Sequence, residues 1–123
     1  MPYKILVVDD HPDAARIASV LFKALGHDAH PETTGKRALA AVESFTPDIA
    51  ILDIGLPDIS GYDIARALRD RFGPTLFLVA MTGWGQPEDL VRAQAAGFDR
   101  HVLKPADAAI LMDLLAEAYR RGR

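Results

Sequence analysis

The sequence predicts an α/β fold: a doubly wound, five-stranded parallel sheet with five helices. Three observations predict it. Short apolar runs of strand length alternate with amphipathic segments five times along the chain. The runs are rich in Val, Ile and Leu, as in strands buried on both faces. The amphipathic segments carry their apolar residues three and four apart, the spacing of helices. Repeated βα units of this kind form a parallel sheet covered on both faces, joined by right-handed crossovers.

Ile5-Leu6-Val7-Val8 is the first strand. Residues 13–25 form the first helix, with Ala14, Ile17, Ala18, Leu21, Phe22 and Leu25 on its inner face and Gly26 as its stop. Residues 28–32 make a weak second strand. Residues 35–45 form the second helix, which buries Ala38, Leu39, Val42 and Phe45, and Ile49-Ala50-Ile51-Leu52 is the third strand. The turn-rich stretch from Gly55 to Gly61 leads into a helix carrying Ile64, Ala65, Leu68 and Phe72, broken by Gly73-Pro74. Residues 76–81 form the fourth strand. Pro87 opens the fourth helix, where its missing N–H costs nothing, and Gly97 closes it. His101-Val102-Leu103 is the fifth strand. The last helix covers about 107–121, with Ile110, Leu111, Leu114, Leu115 and Ala118 inward. With no linker, repeat or low-complexity segment in 123 residues, the chain reads as one domain over 1–123.

Half of the residues are hydrophobic and a quarter charged, so an ordinary core is available. The absence of cysteine excludes disulfides, thiolate catalysis and Cys-based zinc sites. A net charge of −3 without a basic stripe speaks against nucleic acid as a partner. Arg120, Arg121 and Arg123 read as the solvated end of the last helix. No apolar run approaches the roughly 20 residues that cross a bilayer, and the N-terminus lacks a signal-peptide layout, so no membrane partner and a cytoplasmic location are expected.

In an open doubly wound sheet, ligands bind outside the carboxyl ends of the strands. Asp9 and Asp10 follow the first strand, Asp53 the third, Thr82 the fourth and Lys104 the fifth. Three carboxylates gathered on one rim repel one another unless compensated. Lys104 offsets part of that charge, and a hard, oxygen-seeking Mg²⁺ would offset more. A carboxylate held beside Mg²⁺ can attack phosphorus to give an acyl phosphate. Phosphoryl transfer then needs mainly positioning and neutral equatorial oxygens, which Lys104, Thr82 and Mg²⁺ would provide. Each acid taken alone is as well read as a helix cap or turn residue. The three together are hard to explain structurally, because burying like charges is costly.

Leu6-Val7-Val8-Asp9-Asp10, Asp53-Ile54-Gly55-Leu56-Pro57-Asp58-Ile59-Ser60-Gly61, Met81-Thr82-Gly83 and Leu103-Lys104-Pro105 occur in order, each at a strand end. This set, over nearly the whole chain, resembles the receiver domain of bacterial two-component response regulators. The resemblance implies a flavodoxin-like receiver fold and an aspartyl phosphate on Asp53. It implies Mg²⁺ held by Asp10 directly, Asp9 mostly through water, Asp53, and the backbone carbonyl of Gly55. It makes Thr82 the switch hydroxyl and Lys104 the partner of the phosphoryl group, with a cis Lys104–Pro105 bond. It also implies a histidine kinase or histidine phosphotransfer domain as donor, and a partner or homodimer surface on the fourth helix, fifth strand and fifth helix. Such a domain catalyses only its own phosphorylation and dephosphorylation. His101 departs from the family, which usually has Tyr or Phe three residues before the lysine; in that place it is expected to act as a switch residue with Thr82, by a similar rotation. The stretch from Thr82 through Gln86 to Lys104 looks most like receivers of hybrid histidine kinases or stand-alone relay receivers, and no output domain is expected after the last helix.

The competing reading is a receiver-like binding module that is never phosphorylated. The intact acids, Thr82 and Lys104 argue against it. A cobalamin-binding Asp-x-His-x-x-Gly motif fails at Ala14, and an Asp-x-Asp-x-Thr phosphatase motif fails at His11. Trp84 is balanced between a partner contact and a loop anchor. His11 is within reach of the rim yet reads better as a solvated loop residue, His27 and His30 read as surface residues, and Asp58 as a support of the turn after Asp53.

Overall fold

The computed structural model describes residues 2–83 and 87–122. Trp84 and Gln86 lie outside them, so the expectations placed on those two side chains do, as does Arg123. The strands are β1 (Lys4–Val8), β2 (Asp28–Glu32), β3 (Ile49–Asp53), β4 (Phe77–Thr82) and β5 (Arg100–Leu103). The helices are α1 (Pro12–Ala24), α2 (Gly35–Ala41), α3 (Gly61–Phe72), α4 (Pro87–Ala96) and α5 (Ala108–Arg121). All strands pair in parallel in the order β2-β1-β3-β4-β5. This is the doubly wound five-stranded sheet that the alternation predicts.

Alternation along each strand divides the core in two. Ile5, Val7, Ile51, Val79, Met81 and Val102 pack under α1 and α5. Leu6, Val8, Leu52, Leu78 and Ala80 pack under α2, α3 and α4. Every residue of β3 and β4 is buried, which explains their unbroken apolar runs.

Three expectations need correction. The inner face of α1 is Ala15, Ala18, Ser19 and Phe22, whereas Ile17 and Leu25 are exposed. The helix turns its small residues to the sheet, which lets the backbones approach. Ile17 and Leu21 instead line a cleft of about 620 Å³ that also touches Leu111 of α5. Second, α2 stops at Ala41, because Glu43 and Ser44 bond three residues back rather than four and tighten the last turn. Third, His27 is buried. Its Nδ1 accepts the Tyr3 N–H at 3.0 Å, and its Nε2 lies 3.0 Å from the Tyr119 hydroxyl, joining the start of β1 to α5.

The N-terminal end of the sheet is clasped by Arg69. Its guanidinium donates to the carbonyls of Gly73 (2.8 Å), Leu76 (2.7 Å) and Gly97 (2.6 Å) and to Asp99 (2.8 Å). Arg121, expected at a solvated helix end, also reaches Asp99 at 3.6 Å and lies over the Phe77 ring.

Candidate functional site

Register builds the site at the other end. Val8 pairs with Leu52 and Asp53 with Met81, so Asp9 comes level with Asp53 at the C-terminal edge and Thr82 stands one residue further along β4. Thr82 pairs with Leu103, which brings Lys104 to the same rim. Asp53 and Thr82 are the last residues of their strands rather than the first beyond them, and both are buried, as is Asp9. A backbone bond from Lys104 N–H to the Thr82 carbonyl, 2.8 Å, ties the β5 end to β4. The Lys104–Pro105 bond is cis, as expected.

Lys104 Nζ donates to Asp53 Oδ2 at 2.8 Å and to Asp9 Oδ1 at 3.2 Å. Asp53 Oδ1 accepts the Gly55 N–H at 3.0 Å. Burial opposes ionisation of Asp53, but the Lys104 and Gly55 hydrogen bonds outweigh it and hold the carboxyl below its ordinary range. Asp10 moves the other way. Its own desolvation comes first, then the contact with Asp53, and both raise it. Burial also opposes the Lys104 ammonium, yet its bonds to Asp53 and Asp9 raise its pKa and keep it charged. The ammonium thus bonds two of the three acids and leaves the pocket negative.

Ligand atoms of Asp9, Asp10, His11 and Asp53 all lie within 4.8 Å of one another. A negative cluster of hard oxygens, short of two compensating charges once Lys104 is counted, fits a divalent cation. Gly55 meets this cluster through its amide. Two residues do more than expected. His11 is solvent-exposed as expected, but its ring nitrogen lies 3.2 Å from Asp10 and 3.3 Å from Asp9. Asp58 does more than support its turn: it accepts the Gly35 and Lys36 amides, both at 2.9 Å, and so caps α2 from the loop behind Asp53. Neither shows in local sequence pattern, because each depends on where a second segment arrives. His101 is half-buried, and its Nε2 is enclosed with no hydrogen-bond partner among the described residues. Gly61 is demanded by geometry: a Cβ there would stand 2.6 Å from Ile54 Cα and 2.9 Å from the Asp53 carbonyl oxygen.

A doubly wound sheet with three acids, a hydroxyl and a lysine on its carboxyl rim defines an aspartyl phosphoacceptor class of signalling domain. The profile of the response regulator receiver domain matches residues 5–116, and the chain belongs to that family. It is 37% identical over 99% of its length to the DNA-binding response regulator MtrA of Mycolicibacterium smegmatis. It is 36% identical over 96% of its length to the transcriptional regulatory protein KdpE of Mycobacterium tuberculosis. The chain spans about half the length of these relatives, 53% and 51%. Among solved structures, the response regulator DrrB of Thermotoga maritima superposes with a TM-score of 0.86 at 30% identity, covering 98% of this chain and 54% of that one. The family supplies phosphoacceptor signalling in two-component systems. No helix among the described residues is long and apolar enough to cross a membrane.

Proposed function

We propose that this chain takes a phosphoryl group on Asp53 from a histidine kinase or histidine phosphotransfer domain and changes its partner surface in response. The observation that carries this reading is the Lys104 ammonium, bonded at once to Asp53 and Asp9 within a tight cluster of acids. Asp9, Asp10 and Asp53, with the Gly55 carbonyl, are the residues to hold Mg²⁺, which when bound supplies charge neutralisation for the acids and the incoming phosphoryl oxygens.

The chain's own groups do the rest. An ionised Asp53 oxygen attacks phosphorus; the new O–P bond forms as the P–N bond to the donor imidazole breaks, and the electron pair leaves on that nitrogen. The ordering of Asp53 by the Gly55 amide and of Lys104 by the Thr82 carbonyl presets the line of attack. Lys104 then pairs with the phosphoryl group, and the Thr82 hydroxyl donates to it. Both contacts favour one arrangement of α4, β5 and α5 over another, which is a population shift. Leu90 and Val91 of α4 and Leu103 of β5 are exposed and are available to a partner or a second copy. Attack of water on the acyl phosphate resets the domain, so its only catalysis is on itself, in the cytoplasm.

Incubation with acetyl phosphate and Mg²⁺, followed by intact mass, tests this. One phosphoryl group gained, dependent on Mg²⁺ and absent in Asp53→Asn, is the expected result. No gain, together with no response of Trp84 fluorescence to Mg²⁺ and beryllofluoride, would leave an unphosphorylated binding module.

A further inference from the structure

His11 occupies the N-cap of α1 but does not cap it. Its side chain makes no bond to the first-turn amides, the service for which Ser, Thr, Asp and Asn are favoured. The ring turns back over the acids instead, with Nδ1 3.2 Å from Asp10 Oδ1 and 3.3 Å from Asp9 Oδ1. Two constraints aim it there. The His11 N–H donates to Asp9 Oδ1 at 3.0 Å. Pro12, the first residue of α1, restricts His11 to the extended backbone it adopts, φ −89° and ψ 107°. The side chain is 73% exposed, so core packing does not dictate its direction.

The distances match one coordination shell. Ligands roughly 2.1 Å from an octahedral ion stand roughly 3 Å apart when adjacent and roughly 4.2 Å apart when opposite. The Nδ1–oxygen distances fall near the first value, and the set of four, spread over up to 4.8 Å, needs only a slight closing to wrap one ion. Carboxylates and waters alone suit Mg²⁺, which gains little from nitrogen. An imidazole raises the affinity for Mn²⁺, Co²⁺, Ni²⁺ and Zn²⁺.

We propose that His11 donates Nδ1 to the cation held by Asp9, Asp10 and Asp53, so that this site takes a divalent first-row transition ion in preference to Mg²⁺. The proposal rests on the phosphoacceptor reading for the existence of a cation site. Nδ1 faces the carboxylate oxygens, and it coordinates in the tautomer that carries the ring proton on Nε2. The exposed imidazole also provides the first protein contact for an arriving ion.

The test uses Mn²⁺ as probe, with wild type, His11→Phe and His11→Asn. Mn²⁺ affinity is read by electron paramagnetic resonance, Mg²⁺ by competition, and nitrogen coordination by pulsed measurement of ¹⁴N coupling. The expected wild-type result is a directly coordinated nitrogen. In either variant this coupling disappears and the Mn²⁺-over-Mg²⁺ preference falls about tenfold or more, while Mg²⁺ affinity stays within about twofold. Absence of ¹⁴N coupling in wild type, or an unchanged preference in folded His11→Asn, overturns the proposal while leaving Mg²⁺ binding and phosphoryl uptake on Asp53 standing. Failure of wild type to bind either ion overturns the proposal together with the phosphoacceptor reading. His11→Asn can still cap α1, so it guards against a loss of fold in His11→Phe.

Discussion

Lys104 crosses the end of β4 to place its Nζ 2.8 Å from Asp53 Oδ2, joining strands that do not touch in the sheet. The same nitrogen holds Asp9 at 3.2 Å. It therefore restrains the mutual repulsion of the acids as well as standing ready for a phosphoryl group.

Lys104→Met should accordingly destabilise the cation-free protein by about 2 kcal/mol, because two nearly buried carboxylates lose their partner. Mg²⁺ should restore more stability to the variant than it adds to wild type. Asp53→Asn should act in the opposite sense and leave the cation-free fold as stable or more stable. Urea melts with and without Mg²⁺ check this; equal Mg²⁺ increments in Lys104→Met and wild type would refute it.

Gly61→Ala tests how tightly the start of α3 is set against the acid. The added methyl would lie 2.6 Å from Ile54 Cα, and backbone cannot move aside as a side chain can. We expect a loss of about 1–3 kcal/mol, the usual range for overpacking. Because the other collision is with the Asp53 carbonyl oxygen, phosphoryl uptake from acetyl phosphate should slow in protein that remains folded. Unchanged uptake with unchanged stability would mean that the loop yields freely.

Legibility in the sequence follows the range of the cause. Asp9, Asp10, Asp53, Thr82 and Lys104 were readable because each sits at a strand end, and strand ends of one parallel sheet share a rim. The inner face of α1 was not, because periodicity weighs apolar size. The sheet selected Ala15, Ala18 and Ser19 for close approach and left Ile17 and Val20 outside. His27 gives no local sign of burial, since its partners Tyr3 and Tyr119 lie 24 and 92 residues away. The bond from Asp58 to α2 likewise spans 23 residues. The β-α units and their rim are local in origin; the caps and clasps between units are not.

Arg69→Lys separates stability from function. Arg69 serves three backbone carbonyls and Asp99 from one planar group, and a lysine ammonium cannot reproduce that fork. The expected loss is about 2–3 kcal/mol, from carbonyls left poorly satisfied. The clasp lies at the sheet end opposite Asp53, so folded variant should take up the phosphoryl group at the wild-type rate. Denaturation midpoints and intact-mass time courses measure the two effects. Slowed uptake in fully folded protein would show that the ends of the sheet are coupled.

Acid sensitivity should carry a contribution from Asp58. The Lys36 and Gly35 amides hold its carboxyl below its ordinary value of 3.8, outweighing the slight opposing desolvation. A folded pKa below the unfolded one means that the unfolded chain binds the proton more readily. The stabilisation is then fully present above the unfolded value and is lost as the pH falls through the folded value. Asp58→Asn retains a carbonyl oxygen for one amide but has no charge to lose. Wild type should therefore exceed Asp58→Asn in stability at neutral pH, and the gap should close progressively below about pH 4, where unfolded carboxylates protonate. The group is exposed, so salt should narrow the neutral-pH gap. Urea midpoints of both proteins across pH 3–7 measure this; a gap that stays constant through pH 3 would show that Asp58 acts by hydrogen-bond geometry alone, with no linkage to its proton.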